Sequence, residues 1–401
     1  MSTAARHPGI RKVTTKGGET RYRLIIDMGR KPDGSRDQRC ETFTRLGDAK
    51  ARQGKIIADR KAGTLVKPTK VTLAKAIDDW LAGRLNLRPA ARRSYIDGLG
   101  LVRDRLGHVQ VQNLTKAHLA DLVTELRDSG RRVGNVQRTG LSPRSINLML
   151  TLLGAVLDSA AQDGLVASNV ARQVERPKQT RREMQTWTAD QAGRFLEAVA
   201  DDRLAPAWQL SLYGLRRGEI LGLCWKDIDL DARTLTIRLA RTSVAGEVLE
   251  GEPKTERSKR TLPLDDGLVV ALRSLKKTRQ AGERLEAGQA YPRGCGGCGG
   301  AHVVVDELGQ PYRPEWYSDR FARIAKAAGL PAIRLHDARH TSVTLMILRG
   351  VPIPVVSAWH GHASAAFTMA FYAHSQDDAL AAAGETLAAA YGRSERAVKL
   401  R

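Results

Sequence analysis

The sequence predicts a multidomain, mainly α fold with small antiparallel β-sheets. It divides into a small α+β N-terminal domain, an all-helical middle domain and a mixed α/β, mostly helical, C-terminal domain. Three observations predict this. The chain has 401 residues, and single cores rarely keep growing past about 250 residues. Apolar residues recur at three- and four-residue spacing over most of the chain, with two-residue alternation only in short runs. Two segments rich in Lys, Arg and Pro, Gly63 to Lys70 and Arg176 to Arg182, read as linkers.

The elements follow in order. Tyr22, Leu24 and Ile26 alternate with Arg21, Arg23 and Ile25 as a strand. Gly29 to Gly34 is turn chemistry, and Cys40 to Thr44 is the returning strand. Gly47 to Lys61 reads as a helix with a basic face. In the middle domain, residues 71–178, Thr72 can cap a helix carrying Leu73, Ile77, Trp80 and Leu81. Ser142-Pro143 is a cap residue followed by Pro in the first turn, with Ile146, Leu150, Leu153 and Leu157 behind it. In the third domain, residues 185–392, Thr188 to Gln191 fits a capping box. Helices run on to about Trp225. Thr234 to Leu239 alternates as a strand, and Val248 to Glu252 and Arg260 to Leu264 are expected to complete one small sheet with it. Helices dominate from Pro314 to Tyr391.

Charge narrows the function. Sixty-five Lys+Arg stand against 43 Asp+Glu, a net +22. Such an excess favours a polyanion, because Lys and Arg neutralise phosphates and release their counterions. An RNA-binding protein, or merely a basic surface, satisfies the same number. The excess is uneven: residues 1–70 hold 18 Lys+Arg and 7 Asp+Glu, half of the total surplus. That makes residues 1–65 a basic arm. No run approaches the roughly 18 apolar residues of a membrane helix, and Met1 to Lys12 lacks a signal peptide's apolar core. Four cysteines are too few for a disulfide scaffold, so a reducing cytoplasm is the expected location.

Four stretches carry the chemistry. They are Tyr213-Gly214-Leu215-Arg216-Arg217-Gly218-Glu219, then Pro253-Lys254-Thr255, then Leu335-His336-Asp337-Ala338-Arg339-His340, and Trp359-His360-Gly361-His362 with Phe371-Tyr372 following. Each alone is weak, since His-x-x-Arg arises by chance. Together they assemble what attack on a phosphodiester needs. Arginine forks can grip the non-bridging oxygens and stabilise the charge that builds there. A tyrosine hydroxyl, with a pKa of about 10, needs a base or a strongly positive site to attack at neutral pH. A histidine can take its proton. A lysine can protonate the leaving oxygen.

In order, spacing and flanking residues, these stretches resemble the tyrosine recombinase family, the lambda-type phage integrases and their Xer relatives. The resemblance is detailed over residues 185–375 and looser back to residue 71. There Leu141-Ser142-Pro143-Arg144-Ser145-Ile146 looks like the family's helical, SAM-like core-binding domain. The basic start resembles the arm-binding domain that lambda-type integrases carry and Xer proteins lack. The resemblance implies a DNA strand transferase working through a 3′-phosphotyrosyl intermediate and a Holliday junction. It casts Arg216 and Arg339 as phosphate ligands, Lys254 as general acid, His336 as proton-transfer residue, His362 as a phosphate hydrogen-bond partner and Tyr372 as nucleophile. Glu219 matches a carboxylate that braces the first arginine.

Some positions stay open at this stage. Arg217 is the decoy beside Arg216, and His360 competes with His362. Tyr391 is a rival nucleophile by residue type alone. Cys295-Gly296-Gly297-Cys298 with His302 could suggest a metal knuckle, but one pair is weak, and a Gly-rich loop is the preferred reading. No cofactor and no catalytic metal are expected. The tail, residues 377–392, reads as an Ala- and Leu-rich helix, packed on its own domain or, as the family implies, on a neighbouring subunit. Expected partners are double-stranded DNA attachment sites, three further copies in a homotetramer, a host DNA-bending protein and a directionality factor. No membrane is expected, and the place of work is the bacterial cytoplasm, at the nucleoid. A Xer-like resolvase and a non-cutting DNA-binding regulator are the alternatives.

Overall fold

The computed structural model describes residues 9–15, 17–30, 33–62, 65–133, 136–179, 185–253, 256–288 and 301–362, with five positions between 384 and 391. The chain forms two compact units, Met1–Thr180 and Arg181–Arg401. Their junction falls inside the basic linker expected around residues 176–182.

The first unit opens on an antiparallel sheet of β1 (Ile10–Thr14), β2 (Thr20–Arg30) and β3 (Arg36–Phe43), with β2 central. Helix α1 (Leu46–Lys61) covers one face, burying Leu24, Ile26 and Ile56. Arg52 pins helix to sheet through a two-pronged bond to Glu41, at 2.9 and 3.1 Å. The register sets Arg11 beside Arg23 and Val13 beside Arg21. Because side chains alternate along a strand, Arg11, Arg21 and Arg23 share the face opposite Leu24. The strand Ile10–Thr14 was not expected from sequence.

A separate core follows in the same unit. It is built by α2 (Leu73–Ala82), α3 (Pro89–Leu106), α4 (Lys116–Ser129) and α5 (Pro143–Gln162). Both predicted starts are capped: Thr72 accepts from the Lys75 amide, and Ser142 from the Ser145 amide, with Pro143 in the first turn. Ile146, Leu150, Leu153 and Leu157 all lie in that core. By length and composition α5 could cross a membrane; here its apolar side is packed against the other helices. The region is not all-helical. A hairpin of β4 (Arg131–Val133) and β5 (Val136–Thr139) separates α4 from α5. Val133 pairs with Val136.

The second unit holds the largest core, around Trp187, Phe195, Trp208, Tyr317 and Phe321. Its early helices are α6 (Ala189–Ala198), started by the Thr188–Gln191 capping box, α7 (Ala205–Leu212) and α8 (Arg217–Leu221). Strands β6 (Ile228–Asp229), β7 (Thr234–Ile237), β8 (Ala240–Val244), β9 (Glu247–Gly251) and β10 (Arg260–Pro263) follow. They do not form the single sheet expected. β7 lies between β6 and β10, while β9 pairs with β8 in a hairpin of its own. The reason is local. Ala245 and Gly246 both take positive φ, 53° and 88°, the two-residue turn whose twist suits a hairpin. It folds β9 back on the segment just before it. β7 also stops at Ile237, short of Leu239. Helices α9 (Asp266–Ser274), α10 (Gln280–Ala287), α11 (Pro314–Ala327), α12 (Leu335–Leu348) and α13 (Ile353–His360) complete the unit. The expected tail helix falls almost wholly outside the described residues; within it, Gly384 and Thr386–Ala388 are helical.

Candidate active site

Three backbone segments converge in the second unit: the start of α8, the start of α12 and the residues that end α13. Arg216 precedes α8 in extended conformation. Its Nη1 donates to Glu219 Oε1 at 2.6 Å and its Nη2 to the Gly361 carbonyl at 2.9 Å. The Glu219 carboxylate turns back to accept the Arg216 amide at 2.9 Å. Glu219 is itself buried and is held from the far side by Arg260, at 3.1 and 3.2 Å. Burial opposes ionisation there, but Arg260 and Arg216 outweigh it and hold the carboxyl below its ordinary value.

Arg339 rises from α12. Its guanidinium donates to the Gly214 carbonyl at 2.5 Å and also to the His360 carbonyl. Burial, then the nearby Arg216, pushes it down to about 9, so it stays cationic at neutral pH. The chain is shaped to allow this. Gly214 has φ +93°, and a Cβ there would sit 2.4 Å from His360 Nε2. Gly361 ends α13 at φ +59°, where a Cβ would meet the Arg257 carbonyl at 2.8 Å. Both positions demand glycine.

Four histidines surround the arginines. His336 is exposed, yet its packed neighbours strip water from part of the ring; that desolvation, then Arg339 and other nearby charges, lowers its pKa. It meets His340 edge-on, with ring centres 4.6 Å apart. His340 is buried and held down to about 4, and His362, also buried, to about 3. Burial leads in each, followed by the adjoining positive groups. These rings are therefore neutral at pH 7, and a neutral imidazole has one nitrogen of acceptor type and one of donor type. His360 is fully buried and committed to the fold, with Nδ1 against the Val356 carbonyl at 2.9 Å and Nε2 against Ser342 Oγ at 3.2 Å.

Of the residues expected from sequence, the structure brings Arg216, His336, Arg339 and His362 into one cluster. Lys254 and Tyr372 lie outside the described residues. Arg217 points elsewhere, donating to Ser318 Oγ at 2.9 Å. Tyr391 is 71% exposed. Sequence reasoning missed Arg260, which braces Glu219 and donates to the Trp359 carbonyl at 2.6 Å. It also missed His340, one turn along α12 from His336. The signal for His340 was its four-residue spacing from His336; Arg260 had none, being one of many arginines. Among the described residues, no group of three or more His, Cys, Asp or Glu is placed to hold a metal ion. The cluster is a fixed, positively charged surface flanked by neutral imidazoles. It can bind a phosphate and take or give a proton beside it.

Residues 185–379 match the Phage integrase family. A "Tyrosine recombinase XerC-like" protein of Caldanaerobacter subterraneus subsp. tengcongensis is 25% identical over 90% of this chain and 93% of its own length. Two solved structures share the fold. A Tn1549 transposon integrase in complex with transposon right end DNA superposes with TM-score 0.65, at 21% identity, over 79% of this chain and 99% of that one. A lambda integrase from a tetramer bound to a Holliday junction gives TM-score 0.51, at 18% identity, over 91% of this chain and 94% of that one.

Proposed function

This chain belongs to the tyrosine recombinase family, and on that premise we propose that it is the integrase of a phage or other mobile element, with Tyr372 as its nucleophile. It is a site-specific recombinase, an enzyme acting on DNA. The observation that carries the finer reading is the anchoring of Arg216 and Arg339 on the backbone of one loop, at the Gly361 and His360 carbonyls. Two guanidinium groups held on one short segment form a preorganised seat for a phosphate, and preorganised charge is what transition-state stabilisation requires.

In this reading the Tyr372 oxygen attacks phosphorus, and the bond from phosphorus to the 5′ oxygen breaks. His336, neutral at pH 7, takes the tyrosine proton. Lys254 gives a proton to the departing 5′ oxygen. The Arg216 and Arg339 forks meet the charge on the non-bridging oxygens, and His362 donates a hydrogen bond beside them. The phosphotyrosine keeps the energy of the broken bond, so a 5′ hydroxyl of another strand can reverse the step without ATP.

Four copies are expected on two DNA sites, by analogy with the lambda integrase tetramer on a Holliday junction. A host DNA-bending protein, a directionality factor and a place at the bacterial nucleoid belong to the same proposal. The XerC-like relative favours a second reading, a resolvase. The arginine-bearing sheet ahead of the helical core favours the integrase.

Trapping on a nicked suicide substrate tests the proposal. Wild type, with no divalent cation added, should give a DNA-linked band on a denaturing gel, and Tyr372→Phe should give none while still binding the site. No band from wild type that binds and assembles would shift weight to a non-cutting regulator.

A further inference from the structure

Arg260 lies on β10, in register with Ile237 of β7, and its side chain is buried, out of reach of a DNA phosphate. The end of α13 explains its place. A helix leaves its last carbonyls without intrahelical partners. The amides of Gly361 and His362 turn back to close two of them, at Ala358 (3.1 Å) and Ser357 (3.0 Å). The next three carbonyls each take an arginine from a different segment. Trp359 accepts from Arg260 Nε at 2.6 Å, His360 from Arg339, and Gly361 from Arg216 Nη2 at 2.9 Å. The carbonyl end of a helix is its negative end, where cations are favoured.

Arg260 differs from the other two in where its remaining donors go. Nη1 and Nη2 close on the two oxygens of Glu219, at 3.2 and 3.1 Å, and Nη1 also reaches the Ser258 carbonyl at 3.1 Å. Arg216 makes one side-chain bond to the same carboxylate, at 2.6 Å. Burial opposes ionisation of Glu219, and Arg260, ahead of Arg216, overcomes it. Glu219 and Arg260 thus form a buried pair with no net charge. The charge of Arg216, whose side chain is partly exposed, is left for a phosphate. Gly361 serves the same packing, since a Cβ there would stand 3.1 Å from Arg260 Nη1.

We propose that Arg260 is a positioning residue for strand cleavage: it neutralises Glu219 so that Arg216 keeps its charge for the phosphate, and it fixes the end of α13 that leads into His362. This rests on the recombinase reading of the cluster. Without Arg260, the Glu219 carboxylate acts on Arg216 alone and draws its guanidinium away from the Gly361 carbonyl. The Trp359 carbonyl loses its donor at the same time, and the turn that carries His362 loosens.

The test uses the full chain. Single-turnover trapping on a nicked suicide substrate reads chemistry, and a mobility shift reads binding. Amide hydrogen exchange over residues 353–362 reads the clamp on α13. Arg260→Gln should slow covalent complex formation about 10²-fold, leave site binding close to wild type, and speed exchange at the helix end. Adding Glu219→Gln to Arg260→Gln should recover about tenfold of the lost rate, because no unpaired carboxylate is left to draw on Arg216. A merely structural arginine predicts the reverse, a double variant at least as slow as the single one. Arg260→Lys keeps the charge but not the fork, and it decides the matter if Arg260→Gln does not fold. It should lose less rate than Arg260→Gln and still show faster exchange.

Wild-type rates of covalent complex formation in the folded single variants would overturn the proposal. So would a double variant no faster than Arg260→Gln, or a loss of binding equal to the loss of rate. A wild type that binds its site and never forms the covalent complex would sink the recombinase reading instead. Exchange needs no cleavage, so unchanged exchange in Arg260→Lys would sink the clamp whatever the fate of that reading.

Discussion

Arg216 reaches across 145 residues of sequence to donate to the Gly361 carbonyl at 2.9 Å, and this bond aims its guanidinium at the segment that carries His362. Lysine has neither the fork nor the planar geometry to hold both Glu219 and that carbonyl. Arg216→Lys should cut the rate of covalent complex formation by about 10²–10³-fold and leave site binding within a few-fold. Single-turnover trapping beside a mobility-shift titration measures both. Equal losses in the two would assign Arg216 to binding rather than to the transition state.

Glu219 is the hinge pin of the cluster, since Arg216 and Arg260 both close on it. Removing it strands Arg260, whose side chain is only 8% exposed. Glu219→Ala should destabilise the second unit by about 3 kcal/mol, the low end for a broken buried pair, because the Arg216 side chain remains 35% exposed. Urea unfolding measures the loss. An unchanged midpoint would mean that water compensates both guanidiniums.

The site's histidines make stability depend on pH. His340 and His362 are pushed down to about 4 and about 3 in the folded chain, below the unfolded value of about 6.5. Between those limits the unfolded chain binds protons that the folded chain refuses, so stability falls as pH drops from about 6.5 toward 4. Each ring contributes up to about 1.4 kcal/mol per pH unit in that window. Below it Glu219 and Asp337, both with lowered pKa, add to the loss. Unfolding free energies at pH 7 and pH 5 should differ in that direction, and His340→Gln should shrink the difference. A protein more stable at pH 5 would contradict the buried, neutral assignment.

The basic sheet should act apart from the chemistry. Its core of Leu24, Ile26 and Ile56 is separate from the helical core that follows. Deleting residues 1–65 should weaken binding to distal sites on long attachment DNA and spare cleavage of an isolated core site. Parallel loss of both would show that the sheet supports the helical core instead.

The membership of the cluster was partly readable in the sequence because Arg216, His336, Arg339 and His362 stand in short motifs of fixed order. The glycines beside them, Gly214 and Gly361, are set by what a crowded backbone at positive φ requires. The helices were readable for a similar local reason: Thr72, Thr188 and Ser142 each satisfy amides three residues ahead. Strand partners were not. Val248 has the same alternating pattern whichever neighbour it pairs with, and only the tight turn at Ala245-Gly246 and the packing around it chose β8. Sequence preferred Arg216 to Arg217 only through the resemblance of the flanking residues; the physical difference between the two neighbours is direction, and direction comes from Glu219 on one side and Ser318 on the other. Cys224 shows the same limit. It lies 78 residues before His302, and folding alone sets its sulfur 3.7 Å from that ring, because contacts between distant segments follow from shared burial rather than from spacing along the chain.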